Sequence, residues 1–390
     1  MLYLVEPENF PGVIMKRYLA ENILKDLEKK MVFVGGPRQV GKTTLALDIL
    51  EGDEEHPAYF NWDYAEDKRD LLAGRLPSKE SLIVLDEIHK FKQWRNFIKG
   101  LYDKKKSRVS FLVTGSARLD YYRKGGDSLQ GRYHYYRLHP FSLYEINTAP
   151  TKADLDILIR FGGFPEPFLA QSEREWKRWQ RERLTRVIRE DLIGLEQVRE
   201  VSQLELLAAL LPDRVASLLS VNSLREDLSA SHEAVERWIT IFENLYYCFR
   251  LRPFASSRIK ALKKDKKLYL WDWSLCSNEG ARFENLVAAN LLKYCHYLED
   301  TTGDAMELCY LRDKNKREVD FVVLRDNKPL FAVECKTGER EIGKYLVYFA
   351  ERTQIPQFFQ VHRGMKDYEM TEYRTRVLPF IAFAEEVLMV

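Results

Sequence analysis

Eight residues near the start of the chain have the types and spacing of a loop that binds phosphate. They read Gly36-Pro37-Arg38-Gln39-Val40-Gly41-Lys42-Thr43 and fit the pattern G-x-x-x-x-G-K-[ST]. In such a loop the backbone N–H groups surround the phosphates, the lysine reaches the β- and γ-phosphates, and the hydroxyl group ligates Mg²⁺. These eight residues and Thr44 are therefore predicted to bind ATP, with Thr43 as a ligand of Mg²⁺.

The elements around this loop suit the same chemistry. Met31 to Val34 form a short apolar run typical of a buried strand, and Thr44 to Leu50 have the pattern of a helix. A strand that leads through a glycine loop into a helix directs free N–H groups and the positive end of the helix dipole at one point. This context favours nucleotide binding over a chance match to the pattern.

Two acids follow another apolar run and would complete an ATP site. Leu82 to Leu85 read as a strand that is covered on both faces, and Asp86 and Glu87 come directly after it. Asp86 is expected to hold the magnesium ion, and Glu87 to orient and deprotonate the attacking water. Strand ends often carry acids, so this assignment depends on the phosphate-binding loop upstream.

Two further positions suit ATP hydrolysis. At the end of a third apolar run, either Thr114 or Ser116 is placed to sense the γ-phosphate. Arg132 is a candidate arginine finger that acts on the ATP of a neighbouring subunit, and a purely structural arginine is the alternative. If Arg132 acts on a neighbour, the protein must oligomerise to hydrolyse ATP efficiently.

Five segments together resemble one group of proteins, the prokaryotic AAA+-type ATPases that carry a winged helix and a C-terminal restriction-endonuclease-like domain. The segments are residues 36–44, Leu-Asp-Glu-Ile at 85–88, Thr-Gly-Ser at 114–116, Gly-Arg at 131–132 and Phe-Gly-Gly-Phe-Pro-Glu at 161–166. The resemblance covers nearly the whole chain. It implies an α/β AAA+ core, a helical middle, a nuclease-type fold at the end, and assembly into hexamers or other rings.

Acids and a lysine in the last third of the chain have the order found in endonucleases of the PD-(D/E)xK type. Asp320 precedes Glu334-Cys335-Lys336, and alternate residues of a strand share a face, so Glu334 and Lys336 point together. Asp320 and Glu334 are expected to hold Mg²⁺ or Mn²⁺, and Lys336 to position or deprotonate the water. Glu284 resembles the helix acid of such nucleases. The pattern E-x-K also arises by accident, and a nuclease-like fold without cleavage activity is the alternative.

The region between these motifs has the outline of a winged helix-turn-helix. Two short helices, at 223–228 and 233–245, precede two expected strands at 246–253 and 267–271. Residues 250–267 contain eight basic residues and one acid, Asp265, and carry a net charge of +7. The basic residues are Arg250, Arg252, Arg258, Lys260, Lys263, Lys264, Lys266 and Lys267. This segment is the strongest candidate for contact with a DNA backbone, although winged helices also bind proteins.

Length and composition set the limits for these interpretations. At 390 residues the chain exceeds one compact core, and we expect an ATPase domain at 1–150, a helical and winged-helix region at 151–275, and a nuclease-like domain at 276–390. With 61 basic and 59 acidic residues the chain is not basic overall. Its five cysteines lack C-x-x-C spacing, which favours reduced thiols in the cytoplasm. No apolar stretch is long enough to span a membrane, so no membrane partner is expected.

Alternating strands and helices predict an α/β fold with a parallel sheet in the first 150 residues. The main functional hypothesis is an AAA+-type protein that hydrolyses ATP with Mg²⁺ and acts on double-stranded or branched DNA as a homo-oligomer, with a metal-dependent nuclease-like domain at its C-terminal end. In the alternative hypothesis ATP gates a switch that binds DNA or protein, and the nuclease-like domain does not cleave.

Overall fold

A computed structural model describes residues 16–115, 129–187, 200–254 and 265–388. The chain divides into two compact units. The N-terminal unit is Met1–His139 with Asn244–Tyr246, and the C-terminal unit is Pro140–Glu243 with Tyr247–Val390. Among the described residues, no helix has both the length and the apolar character needed to cross a membrane.

The N-terminal unit is built on a five-stranded sheet in which every pair of neighbouring strands is parallel. Its strands are β1 (Met31–Gly35), β2 (Tyr59–Asn61), β3 (Leu82–Asp86), β4 (Ser110–Thr114) and β5 (Tyr133–Arg137), in the order β2-β3-β4-β1-β5. Its helices are α1 (Ala20–Leu27), α2 (Lys42–Leu50), α3 (Ala65–Leu72) and α4 (Trp94–Lys105). The predicted parallel α/β sheet is confirmed.

The order of the strands determines which residues meet. All five residues of β1 are buried, as are the last four residues of β3 and of β4, which fits strands covered on both faces. Because the strands are parallel, the carboxyl ends of β1, β3 and β4 lie at one edge of the sheet. The loop after β1, the acids at the end of β3 and Thr114 at the end of β4 are thereby brought together.

The C-terminal unit is built on an eight-stranded mixed sheet in the order β12-β13-β11-β10-β9-β8-β6-β7. The strands are β6 (Cys248–Pro253), β7 (Lys267–Leu270), β8 (Met306–Arg312), β9 (Glu318–Arg325), β10 (Lys328–Lys336), β11 (Gln357–His362), β12 (Tyr368–Met370) and β13 (Thr375–Pro379).

The helices of this region are mostly short, apart from one of 24 residues that packs along the sheet. They are α5 (Leu143–Ile146), α6 (Lys152–Phe161), α7 (Pro165–Ala170), α8 (Glu173–Arg186), α9 (Val201–Leu210), α10 (Val221–Asp227), α11 (His232–Asn244), α12 (Glu279–Thr302), α13 (Lys344–Arg352) and α14 (Phe380–Phe383).

Strands β9 and β10 form a hairpin with a tight turn at Asp326 and Asn327. The two strands are antiparallel, with Val322 opposite Ala332. Asp326 and Asn327 in the turn have φ values of 51° and 62°, the left-handed backbone that a tight two-residue hairpin requires and that Asp and Asn tolerate. The turn sets the pairing beside it, and a register shift between Pro329 and Phe331 then changes the alignment of the rest of β10 with β9.

The strands predicted as a wing belong to the C-terminal sheet. β6 and β7 pair antiparallel as expected, but β6 also pairs with β8, with Arg252 opposite Cys309. An isolated hairpin would leave the outer edge of β6 with unpaired backbone groups, and β8 satisfies part of that edge. The expected domain boundary at residues 275–276 therefore separates strands that the structure joins in one sheet.

The segment Phe161-Gly162-Gly163-Phe164-Pro165-Glu166 has a packing role in this unit. A Cβ on Gly163 would lie 2.7 Å from the carbonyl oxygen of Phe141 and 2.7 Å from the ring of Trp273. The buried guanidinium of Arg183 lies 4.1 Å from the centre of the Phe164 ring. The glycines therefore allow helix α6 to approach the chain segments around Phe141 and Trp273.

Gly163→Ala is expected to lower the free energy of unfolding of the C-terminal unit by about 1–3 kcal/mol, because its methyl group would overlap well-packed neighbours. Gly338→Ala is the matched control, since a Cβ there meets open space, and it should change stability by less than about 0.5 kcal/mol. Urea denaturation of both variants measures the difference. Equal stabilities would show that Gly163 is not needed for this packing.

Candidate functional site

The phosphate-binding loop has a backbone that only certain residues adopt easily. Gly36, Gln39 and Gly41 have positive φ values of 144°, 61° and 93°, and helix α2 begins directly after Gly41. A Cβ on Gly36 would lie 2.4 Å from the carbonyl oxygen of Leu138. Glycine at position 36 therefore lets the loop pass close to the segment after β5, and the loop ends at the N-terminus of a helix, where anions are favoured.

Lys42 is folded back across this loop. The residue is 7% exposed, and its Nζ donates hydrogen bonds to the carbonyl oxygens of Gly36 (3.1 Å) and Pro37 (2.6 Å). The ammonium group is thus held over the centre of the loop, where the sequence predicted it to meet the terminal phosphates. Of the other predicted binding residues, Val40 is fully buried, Arg38 is half-buried and Thr44 lies on α2.

The Asp86 carboxylate is buried and is hydrogen-bonded by three hydroxyl groups. Its Oδ2 accepts from Thr43 Oγ1 (2.7 Å) and from the hydroxyl of Tyr59 (3.0 Å), and its Oδ1 accepts from Thr114 Oγ1. Burial and the neighbouring Asp86 charge raise the pKa of Tyr59, so this phenol stays protonated and remains a donor. The carboxylate thereby joins the loop-to-helix junction to β2 and β4.

These groups fit a magnesium ion. Mg²⁺ prefers oxygen ligands, and the Thr43 hydroxyl and an Asp86 carboxylate oxygen lie 2.7 Å apart at the helix N-terminus. The three donors to Asp86 are hydroxyls, which satisfy the carboxylate without neutralising its charge. Thr43 and Asp86 would therefore hold the ion.

Glu87 follows Asp86 and has a left-handed backbone (φ 56°). Its Oε2 lies 3.1 Å from Lys90 Nζ and 3.7 Å from His89 Nε2. Burial disfavours the Lys90 ammonium, but the carboxylates of Asp63 and Glu87 outweigh burial and raise the pKa of Lys90. Lys90 therefore stays charged and holds Glu87 in an ion pair from which a catalytic base would have to be released.

Arg132 lies at the opposite edge of the sheet from the phosphate-binding loop of its own chain. It directly precedes β5, whose first residue, Tyr133, is opposite Met31, the first residue of the parallel strand β1. The loop follows the last residue of β1, one strand length away. Arg132 Nε lies 3.1 Å from Asp103 Oδ1. This position agrees with a structural arginine or with action on a neighbouring subunit, and it excludes action on the ATP of the same chain.

Residues outside the motif also shape the site. Arg17 is buried and donates from Nη1 to the carbonyl oxygen of Val40 (2.7 Å), and it also contacts the carbonyl oxygen of His139. Sequence reasoning missed Arg17 and Tyr59, although Tyr59 lies on β2, which pairs with the strand that ends in Asp86. Ser116, the other candidate γ-phosphate sensor, lies outside the described residues.

The acids predicted for a nuclease site lie on neighbouring elements of the C-terminal unit. Glu284 is on α12, Asp320 on β9, and Glu334 and Lys336 on β10. The backbone N–H of Cys335 donates to Asp320 Oδ2 (2.8 Å), which places Asp320 beside the E-x-K segment as predicted. Lys336 Nζ is bonded to Glu334 Oε1 at 2.5 Å.

A lysine that the sequence analysis assigned to DNA contact lies among these acids. Lys267 on β7 is 2% exposed, and its Nζ lies 2.5 Å from Glu318 Oε1, 3.2 Å from Glu284 Oε1 and 3.7 Å from Asp320 Oδ1. The assignment of Lys267 to a DNA-binding segment is therefore wrong, because its ammonium group is buried. We call Lys267, Glu284, Glu318, Asp320, Glu334 and Lys336 the acidic cluster.

The acidic cluster does not fit a metal ion. Within residues 16–115, 129–187, 200–254 and 265–388, no three or more His, Cys, Asp or Glu side chains are arranged to hold one. Burial, reinforced by the charge of Asp320, raises the pKa values of Glu284 and Glu334, and burial also raises the pKa of Asp320. The expected Mg²⁺ or Mn²⁺ site at Asp320 and Glu334 is not supported, because the Lys267 ammonium already lies 3.7 Å from Asp320 Oδ1.

Two more residues of the basic segment form ion pairs within the chain. The guanidinium of Arg250 is 5% exposed and lies 2.8 Å from both Glu236 and Glu243, and Arg252 pairs with Glu307. These glutamates lie outside the basic segment, so its sequence alone did not show the ion pairs. Of the others, Lys266 is exposed, and four lie outside the described residues: Arg258, Lys260, Lys263 and Lys264.

Comparisons with protein families identify the N-terminal part of the chain. Residues 28–147 match an AAA domain, and this range contains the phosphate-binding loop and strands β1 to β5. Residues 152–282 and 279–383 match two domains of unknown function, DUF8612 and DUF4143. The second match covers the strands and helix that carry the predicted nuclease acids.

Similar proteins extend along most of the chain. The uncharacterized protein MJ1544 of Methanocaldococcus jannaschii is 26% identical over 370 residues, which cover 84% of this chain and 81% of that protein. The uncharacterized protein Rv2008c of Mycobacterium tuberculosis is 24% identical over 67% of this chain, which spans 59% of that relative. The Aeropyrum pernix Orc1 protein, solved in complex with DNA, has a TM-score of 0.34 and 13% identity over 73% of this chain and 96% of its own. A similarity this weak assigns neither a fold nor a function.

Proposed function

We propose that the N-terminal unit binds and hydrolyses ATP. The observation that carries this proposal is the buried Asp86 carboxylate 2.7 Å from the Thr43 hydroxyl, next to a loop over which the Lys42 ammonium is held. The match to an AAA domain at residues 28–147 supports the same activity. An ion pair would place a positive charge beside the carboxylate, whereas the hydroxyls of Thr43, Tyr59 and Thr114 bring no positive charge that would compete with Mg²⁺.

Each of these residues has a separate task in the proposed reaction. The loop amides and Lys42 bind the phosphates, and Thr43 and Asp86 bind Mg²⁺, which offsets negative charge on the phosphates when bound. Glu87 accepts a proton from the attacking water once its carboxylate leaves Lys90. Thr114 holds Asp86 in place through its hydroxyl, and Arg132 serves a neighbouring copy of the chain, which makes the active form a homo-oligomer.

Lys42→Ala is expected to abolish ATP binding, because the variant lacks the cation that meets the terminal phosphates. Glu87→Gln should bind ATP with unchanged affinity but lose about 10²–10⁴-fold in turnover, because an amide cannot accept the proton. Lys29→Ala changes an exposed lysine of the same unit and should leave both properties unchanged. Calorimetry measures binding and phosphate release measures turnover. Turnover by Lys42→Ala at the wild-type rate would refute the assignment.

We also propose that ATP turnover gates DNA binding, and that the C-terminal unit does not cleave DNA. The position of Lys267 within the acidic cluster favours this alternative over a metal-dependent nuclease. Support for DNA comes from the exposed Lys266 and from the basic residues of the segment that follows β6 in the sequence. Double-stranded or branched DNA is the proposed partner.

Affinity for labelled duplex and four-way-junction DNA should differ by about 5-fold or more between the ATP-bound Glu87→Gln variant and its ADP-bound form. Fluorescence anisotropy measures this difference. Plasmid DNA incubated with Mg²⁺ or Mn²⁺ should stay intact. Cleavage that disappears in Asp320→Ala would establish a nuclease and reject the switch, and equal affinities in both nucleotide states would reject gating.

A further inference from the structure

We propose that the Lys267 ammonium is a built-in cation that takes the place of a divalent metal ion in the acidic cluster. This inference rests on the proposed lack of DNA cleavage and explains it. It depends on the arrangement of side chains around one buried nitrogen atom, and it assigns a function to a residue of the basic segment that does not reach solvent.

The first support is that several carboxylates contact the same nitrogen atom. Carboxylate oxygens from three positions on two elements surround Lys267 Nζ: Glu284 on α12, at 3.2 Å, and Glu318 and Asp320 on β9, at 2.5 Å and 3.7 Å. Glu318 and Asp320 are alternate residues of one strand and therefore share a face. The ammonium group thus lies among oxygens that come from a helix and from a separate strand.

The second support is that the lysine is fixed where it lies. Lys267 opens strand β7, where it pairs with Leu251 of β6, and its side chain is 2% exposed. Tyr269, two residues further along the same strand, donates from its hydroxyl to the same Glu284 oxygen at 2.8 Å. The strand thus directs two donors at one carboxylate, so withdrawal of Lys267 would require β7 to shift or the long side chain to find another buried partner.

The third support is the charge of the cluster. Four carboxylates belong to it, on Glu284, Glu318, Asp320 and Glu334. Lys336 pairs with Glu334 at 2.5 Å, and Arg312 pairs with Glu318 at 2.6 Å, which leaves Lys267 as the cation that contacts Glu284 and Asp320 among the described residues. A divalent ion would need the same oxygens at about 2.0–2.2 Å and would repel the ammonium group, so the two cations exclude each other.

Removal of the ammonium should convert the cluster into a metal site. Lys267→Met keeps much of the length of the side chain but leaves Glu284 and Asp320 buried without a cation. A divalent ion that enters the variant can take their oxygens, and its binding should stabilise the folded state by mass action. Lys266→Met is the matched control, because it removes the neighbouring exposed lysine.

The experiment follows thermal unfolding and calorimetric Mn²⁺ binding of the whole chain in the absence of nucleotide. Wild type and Lys266→Met should show no Mn²⁺ response that depends on Asp320. Lys267→Met should unfold at a lower Tm than wild type, and Mn²⁺ should raise that Tm in a saturable way. The double variant Lys267→Met with Asp320→Asn should lose this rise.

Two results would overturn the inference. One is Mn²⁺ binding by wild type that disappears in Asp320→Asn, which would show that Lys267 and a metal coexist. The other is a folded Lys267→Met protein without any Mn²⁺ response. If Lys267→Met does not fold, Mn²⁺ binding by wild type is compared with Mn²⁺ binding by Asp320→Asn. Binding that is lost in Asp320→Asn rejects the inference. No Mn²⁺ binding that depends on Asp320 supports it. Failed DNA gating with the expected Mn²⁺ results would reject only the proposed switch.

Discussion

The N-terminal site depends on the negative charge of one buried carboxylate. Asp86 ends β3 and accepts hydrogen bonds from the hydroxyls of Thr43, Tyr59 and Thr114, which belong to the loop-to-helix junction and to the two strands that flank β3. A buried charge costs free energy unless hydrogen bonds satisfy it, and these donors do so without cancelling it. The same bonds connect the parallel strands β2, β3 and β4 with the phosphate-binding loop, so structural order and affinity for a cation arise from one group.

In the C-terminal unit, the buried acids contact a charged group. Around Glu284 and Asp320 the partner is an ammonium group, which supplies the opposite charge from within the chain. The contrast with Asp86 explains how one chain can contain two sets of acids with different consequences. Hydroxyl partners leave a site that attracts an external cation, whereas a lysine partner leaves a site that already contains one. The two sites therefore differ in the group that contacts the carboxylate, a hydroxyl in one and an ammonium in the other, and not in the carboxylate itself.

Local features of the sequence were sufficient for much of this structure. The phosphate-binding loop and the acids at the end of β3 each depend on neighbouring residues, and each was predicted. What the sequence could not specify depends on pairing between distant segments. The pairing of β6 with β8 joins residues 57 positions apart, Arg252 and Cys309, and the ion pair of Lys267 with Asp320 likewise joins separate strands. From the sequence alone, a run of basic residues is expected to be exposed, because its acidic partners on distant segments are not known.

The central claim is that Thr43 and Asp86 form the cation site of an ATP-binding domain. Its most direct test is the equilibrium affinity of the 390-residue chain for a fluorescent ATP analogue, measured in Mg²⁺ and in EDTA for wild type and for Asp86→Asn. The account predicts that wild type binds more tightly in Mg²⁺ than in EDTA and that Asp86→Asn loses this difference. It would be contradicted if wild type bound no nucleotide, or if Asp86→Asn kept the full dependence on Mg²⁺.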